Sequence, residues 1–224
     1  MSGHVAVTGF NRWKESLERS VGHVRRRMRR LIGVAAVAAG LAAPASAGAV
    51  TLSGYNPVPG WAPGRIDQGV DGTLAHPYWV PLKMKVVFAQ AHDVGWGYGG
   101  YIAGRVLRGS LTGAVVFVAE GIRPARKVGD VVWPGQRLAR RTVNPYNGIF
   151  GNIETGFANP NAPGQPLAQT FPGYSGDQSV QAITAGGAMN RMIYLLGGAR
   201  GYNHSGKTAN WSLLPTFMRN ALGL

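Results

Sequence analysis

The chain has 224 residues, with 23 Lys plus Arg against 9 Asp plus Glu, a formal net charge of +14, and no cysteine. That length suits one domain with appended segments, and 45% hydrophobic content with 14% charged residues excludes a wholly disordered polyelectrolyte. The absence of cysteine excludes a disulfide scaffold, a thiol nucleophile and any thiolate-held metal.

Arg25, Arg26, Arg27, Arg29 and Arg30 precede an apolar stretch over 31–43, and Ala45-Ser46-Ala47 follows. Basic, apolar and small-residue parts in that order predict a secretory signal peptide over 1–47, cleaved after Ala47. The apolar part is shorter than the roughly 20 residues that a spanning helix needs. A retained anchor is the alternative. The leader holds 8 of the 23 basic and 2 of the 9 acidic residues, which leaves 15 and 7, a net +8 for the mature part. Scattered charge of this kind suits weak attraction to anionic polymers and lacks the concentration of a nucleic-acid footprint.

Residues 48–63 are rich in Gly and Pro and read as an extended lead-in. Short Val- and Ile-rich runs then alternate with glycines, with candidate strands over 84–91, 100–107, 114–119, 130–133 and 137–139. They predict a mainly β domain over 64–158. Residues 159–176 hold four prolines and three glycines, a surface loop. In the helical segment 177–224, Met189, Met192, Ile193 and Leu196 fall at helical spacing before Gly197-Gly198. Ser212 is placed to cap a final short helix, with Pro215 in its first turn. Trp96, Tyr98 and Tyr101 flank a Gly-rich stretch over 95–100, an arrangement that suits stacking on sugar rings; core packing is their competing role.

Three motifs stand in order: Arg65-Ile66-Asp67-Gln68-Gly69-Val70-Asp71, Val116-Phe117-Val118-Ala119-Glu120-Gly121, and Gly151-Asn152-Ile153-Glu154-Thr155-Gly156. Between the last two lies the turn Val128-Gly129-Asp130-Val131 through Gly135-Gln136. This order resembles the lysostaphin-type zinc endopeptidases of peptidoglycan, in a degenerate form seen among exported actinobacterial proteins. The resemblance covers roughly 64–157 and implies a lysostaphin-type β-sandwich of duplicated-hybrid-motif kind, followed here by two short helices. It also implies a metal site at Asp67, Asp71 and Glu154, with Glu120 and Asn152 at the positions of catalytic groups.

No histidine falls at any of those positions. His4, His23, His76, His92 and His204 lie elsewhere. Zinc is therefore not expected, and no cofactor is; oxygen-only ligands lean toward Ca²⁺ or Mn²⁺. The resemblance with its departures implies a secreted or cell-wall-associated binding or regulatory module with a catalytically inactive peptidase-like domain. Its expected partner is peptidoglycan or another anionic wall polymer, with a protein partner as a further candidate, no nucleic acid, and contact with the membrane only during export. The alternatives are a divergent metal-dependent endopeptidase with oxygen ligands and a structural protein that docks through its C-terminal helices.

Overall fold

The structure, a computed structural model, describes residues 62–73, 82–92, 99–143, 148 and 151–224. The leader and nearly all of the lead-in lie outside the described residues. Among the described residues nine strands and two α-helices follow in chain order, so the fold is mainly β, as predicted. The strands are β1 (Ala62–Ile66), β2 (Val70–Thr73), β3 (Met84–Gln90), β4 (Gly100–Val106) and β5 (Val115–Glu120). They continue with β6 (Ile122–Pro124), β7 (Val131–Val132), β8 (Ala139–Arg141) and β9 (Ile153–Ala158). Seven form one antiparallel sheet in the order β1-β2-β9-β5-β4-β3-β7, and β6 pairs with β8 in a separate ribbon.

The centre of the sheet is made by β4, β5 and β9, whose residues are buried on both faces apart from Arg105 and Glu120. The unbroken apolar run 115–119 reflects that two-sided burial. On one face Val86, Ile102, Val116, Val118, Ile153 and Phe157 share a core with helix α1 (Val180–Leu195). On the other, Tyr101, Ala103, Val115, Phe117, Ala119 and Ala158 form a smaller cluster. Tyr101 stacks on Phe117 with ring centroids 5.1 Å apart. It belongs to the core, and the predicted sugar-stacking role at this position is corrected accordingly. Trp96 and Tyr98 lie outside the described residues.

Helix α1 is capped by the Ser179 hydroxyl, which accepts from the Ala182 N–H at 3.1 Å, and it ends at the Gly197-Gly198 pair as the spacing predicts. The last helix, α2, spans Thr216–Leu222 with Pro215 just before it. Ser212 sits instead in a 3₁₀ turn, Trp211–Leu213, whose N-terminus is capped by Asn210. The difference is local: Asn210 offers an acceptor two residues earlier and takes the capping role. Among the described residues no helix is long and apolar enough to cross a membrane.

Helix α1 touches the sheet at one exceptionally close point. A methyl group added at Gly186 would lie 2.1 Å from the Asp67 carbonyl oxygen and 2.4 Å from that of Gly69. Both neighbours are backbone, held by a turn in which Asp67 N–H donates to the Gly69 carbonyl at 3.1 Å. Gly186→Ala is thus expected to destabilise the protein by about 2 kcal/mol, overpacking outweighing the gain in helix propensity of about 1 kcal/mol. Gly187→Ala, whose methyl meets only the end of the Trp211 side chain, is expected to cost less. Thermal melting of the two variants checks the contrast.

Candidate functional site

The turn between β1 and β2 carries Asp67, and β2 carries Asp71. Antiparallel register sets Asp71 opposite Glu154 of β9, and Glu154 opposite Ala119 of β5. The site is therefore fixed by strand pairing. Oxygen atoms of Asp67, Asp71 and Glu154 all lie within 4.8 Å of one another. Asp67 and Glu154 are each only 2% exposed. Gly69 makes this possible: a Cβ there would stand 2.5 Å from the Thr155 carbonyl oxygen and 2.6 Å from Glu154 Oε1.

Glu120 ends β5 opposite Ile153. Strict alternation would turn its side chain to the face opposite Ala119. Its backbone is instead left-handed, with φ of 70°, the one non-glycine residue of this kind among the described residues. Such a conformation costs of order 1 kcal/mol and recurs at functional sites. Asn152, just before β9, is exposed on the wall of the neighbouring groove.

Arg65 supplies the local counter-charge. Its Nη2 lies 2.7 Å from Asp67 Oδ2, and its Nε lies 3.2 Å from Asp71 Oδ2, without hydrogen-bond alignment in the second contact. Burial opposes the Arg65 charge, but the two aspartates outweigh it and raise the guanidinium pKa. Each carboxylate moves in the same direction because burial penalises its charged form and its acidic neighbours add repulsion. Asp67 is pushed up to about 6, with Gly69 N–H and Arg65 pulling the other way. Asp71 is raised by burial against the pull of Arg65. Glu120 is pushed up to about 7 by burial and then by Asp71 and Asp67. Glu154, the most deeply buried, lies well above the carboxylate range, chiefly through desolvation.

The cluster opens on a groove of about 580 Å³ lined by Gly64, Arg65, Asp71, Asn152, Tyr202 and His204. The C-terminal segment closes it. Ile66 N–H donates to the Tyr202 carbonyl at 2.9 Å and Tyr202 N–H to the Gly64 carbonyl at 3.0 Å, which lays this segment parallel to β1. The Tyr202 and His204 rings meet edge to face at 4.4 Å, and both are exposed. Sequence reasoning missed three of these groups. Arg65 carried a usable signal, since residues two apart on a strand share a face with Asp67. Tyr202 and His204 carried none, because nothing local ties them to a motif 130 residues earlier.

The zinc that a lysostaphin-type site implies does not fit these residues. The cluster offers carboxylate oxygen only, whereas zinc sites favour imidazole and thiolate, and a guanidinium already lies against two of the carboxylates. Oxygen donors of this kind suit a hard cation such as Ca²⁺ or Mn²⁺.

Among solved structures the chain is similar to a lysostaphin solution structure, at 13% identity and TM-score 0.44, over 75% of this chain and 62% of that one. It is similar also to the catalytic domain of the antimicrobial peptidase lysostaphin from Staphylococcus simulans, at 20% identity and TM-score 0.32, over 47% of this chain and 77% of that one. A third similarity is to a protein described as an M23 peptidase from Pseudomonas aeruginosa, at 18% identity and TM-score 0.32, over 63% and 54% of the two chains. The chain thus spans less than two thirds of the first of these. No family model and no curated protein matches it.

The raised carboxylates set a direction for stability. Each binds its proton more tightly folded than unfolded, so its contribution is full below the ordinary carboxylate range and is lost as pH rises through the folded value. For Asp67 and Glu120 that window runs from about 4 to about 7. The melting temperature is expected to be roughly 5 °C lower at pH 8 than at pH 5. Glu120→Gln, which removes one of these titrations, is expected to narrow the gap; an unchanged gap would contradict the assignment.

Proposed function

We propose that the chain is an exported, cell-wall-associated module whose lysostaphin-type groove binds peptidoglycan or another anionic wall polymer without cutting it. The observation that carries the reading is Arg65 lodged against Asp67 and Asp71 at 2.7 and 3.2 Å. A fixed positive charge there repels a divalent cation and neutralises the carboxylates that would hold one. Binding is supported by the groove itself, where the exposed Tyr202 and His204 rings stand beside Asn152, Arg65 and Asp71, an aromatic-plus-polar mixture suited to saccharides. Export is supported by the three-part leader over 1–47, and wall attraction by the mature net charge of +8.

A second reading, a divergent hydrolase with oxygen ligands, has its own observation. Asp71 Oδ1 and Glu154 Oε1 are buried with no hydrogen-bond partner among the described residues, and His204 stands in the groove beside them. One experiment separates the two. Purified peptidoglycan is incubated with the protein, with and without Ca²⁺, Mn²⁺ or Zn²⁺, and new amino groups are measured alongside sedimentation of bound protein. The module reading expects binding that weakens with salt and no new amino groups. Metal-dependent release that disappears in Asp71→Ala and His204→Ala would overturn it in favour of the hydrolase.

The Arg65 argument has a thermodynamic corollary. Added Ca²⁺ or Mn²⁺ is expected to leave the wild-type melting temperature essentially unchanged. Arg65→Ala, which leaves the carboxylates without their guanidinium, is expected to be destabilised by about 2 kcal/mol and to regain several degrees when either ion is added.

A further inference from the structure

We propose that a cavity on the opposite side of β1 from the acidic groove is a second binding site, one that takes a carboxylate-bearing fragment of a wall polymer. The proposal rests on the wall-module reading. Strand alternation separates the two sites. Arg65 lines the groove while Ile66 lines the cavity, and in the segment beside them Tyr202 and His204 line the groove while Asn203 lines the cavity.

The cavity measures about 460 Å³, room for one sugar ring or a dipeptide. Ile183 of α1 and Ile66 give it an apolar floor, and Trp211 forms one wall. Three cations surround it, Arg191, Arg200 and Lys207, against one anionic group, the terminal carboxylate of Leu224, and no Asp or Glu lines it. Nor does any acidic group among the described residues pair with those cations, since the ion pairs there belong to Arg65. Three unpaired like charges around a concave apolar surface raise the local potential and favour an anion.

The chemistry of the anion follows from how the cations are held. Arg200 lies over the Tyr194 ring at 3.9 Å, and Arg191 approaches the same ring at 5.7 Å. Arg191 Nε is used structurally, donating to the Leu222 carbonyl at 3.0 Å. Stacking leaves the in-plane N–H groups of Arg200 free to form the two-pronged contact that a carboxylate accepts. Trp211 is equally fixed. Its turn is capped by Asn210, whose N–H donates to the Thr184 hydroxyl of α1 at 2.8 Å, and Gly187 lets the ring lie close against the helix. A rigid indole beside a guanidinium fork is suited to a ring or alkyl chain that carries a carboxylate.

The test is calorimetric titration of the whole protein with N-acetylmuramic acid, D-alanyl-D-alanine and, as the neutral control, N-acetylglucosamine. At least one of the two carboxylates is expected to bind more tightly than the neutral sugar, and the stronger of them names the source, sugar lactyl group or peptide terminus. The double variant Arg200→Ala, Lys207→Ala is expected to weaken that binding roughly tenfold, with the melting temperature retained. Equal binding of the neutral sugar, unchanged binding by the double variant, or no binding of either carboxylate at millimolar concentration would overturn the proposal. Sedimentation with peptidoglycan is read separately. If the wild type sediments but binds neither carboxylate, the second site is lost and the module reading stands. If a carboxylate binds but nothing sediments, the module reading fails while the pocket's chemistry is retained.

Discussion

The structure depends on a backbone contact without side chains. The turn Asp67-Gln68-Gly69 is held between α1 on one side and β9 on the other, and glycine stands at both points of approach. Gly186 admits the turn's carbonyl oxygens to the helix surface, and Gly69 admits the Thr155 carbonyl and the Glu154 side chain. With both distances below van der Waals contact for any larger residue, the turn has little freedom to move. Asp67 is thereby presented to Asp71 and Glu154 in one orientation. Helix α1 is thus part of the acidic site, although it contributes no side chain to it.

That fixed geometry forces an electrostatic problem onto the chain. Four of the seven acidic residues after position 47 stand at these motif positions, largely removed from water, with Arg65 as the partner charge. Burial alone would drive protons onto them, and mutual repulsion adds to it. The cluster therefore divides into an ion-paired half, Arg65 with Asp67 and Asp71, and a second half, Glu154, whose carboxyl burial pushes up furthest from the counter-charge. Glu120 sits between these halves at a strained strand end, with a pKa near neutrality.

The parts of this arrangement that were legible in the sequence are the parts encoded locally. Short apolar runs punctuated by glycine marked β4 and β5 to within a residue or so, and the spacing of Met189, Met192, Ile193 and Leu196 marked α1. The three motifs located four acidic side chains, of which Asp67, Asp71 and Glu154 come within 4.8 Å of one another. Strand β9 was not foreseen as a strand, because Ile153–Ala158 carries Glu and Gly, residues of low strand preference that its central place in the sheet overrides. Tyr101 was misjudged for a related reason: a glycine-rich neighbourhood suggests a surface loop, yet the residue heads a central strand. Tyr202 and His204 reach the groove through backbone pairing across a long sequence separation, which no local pattern encodes. Trp133, exposed and under Lys83 at 3.5 Å, lies in a stretch whose pattern announced a strand and a turn and nothing more.

The parallel pairing of the Tyr202 segment with β1 has a consequence beyond the groove it closes. An outermost strand with free N–H and C=O groups is a template on which another chain can add a strand, and aggregation begins there. At one margin of this sheet Tyr202 satisfies the Ile66 N–H and the Gly64 carbonyl; at the other, β7 is only two residues long and ends in Trp133-Pro134. The segment that completes the groove therefore also covers part of β1's outer edge, and because it does so through backbone atoms, that cover does not depend on the tyrosine side chain.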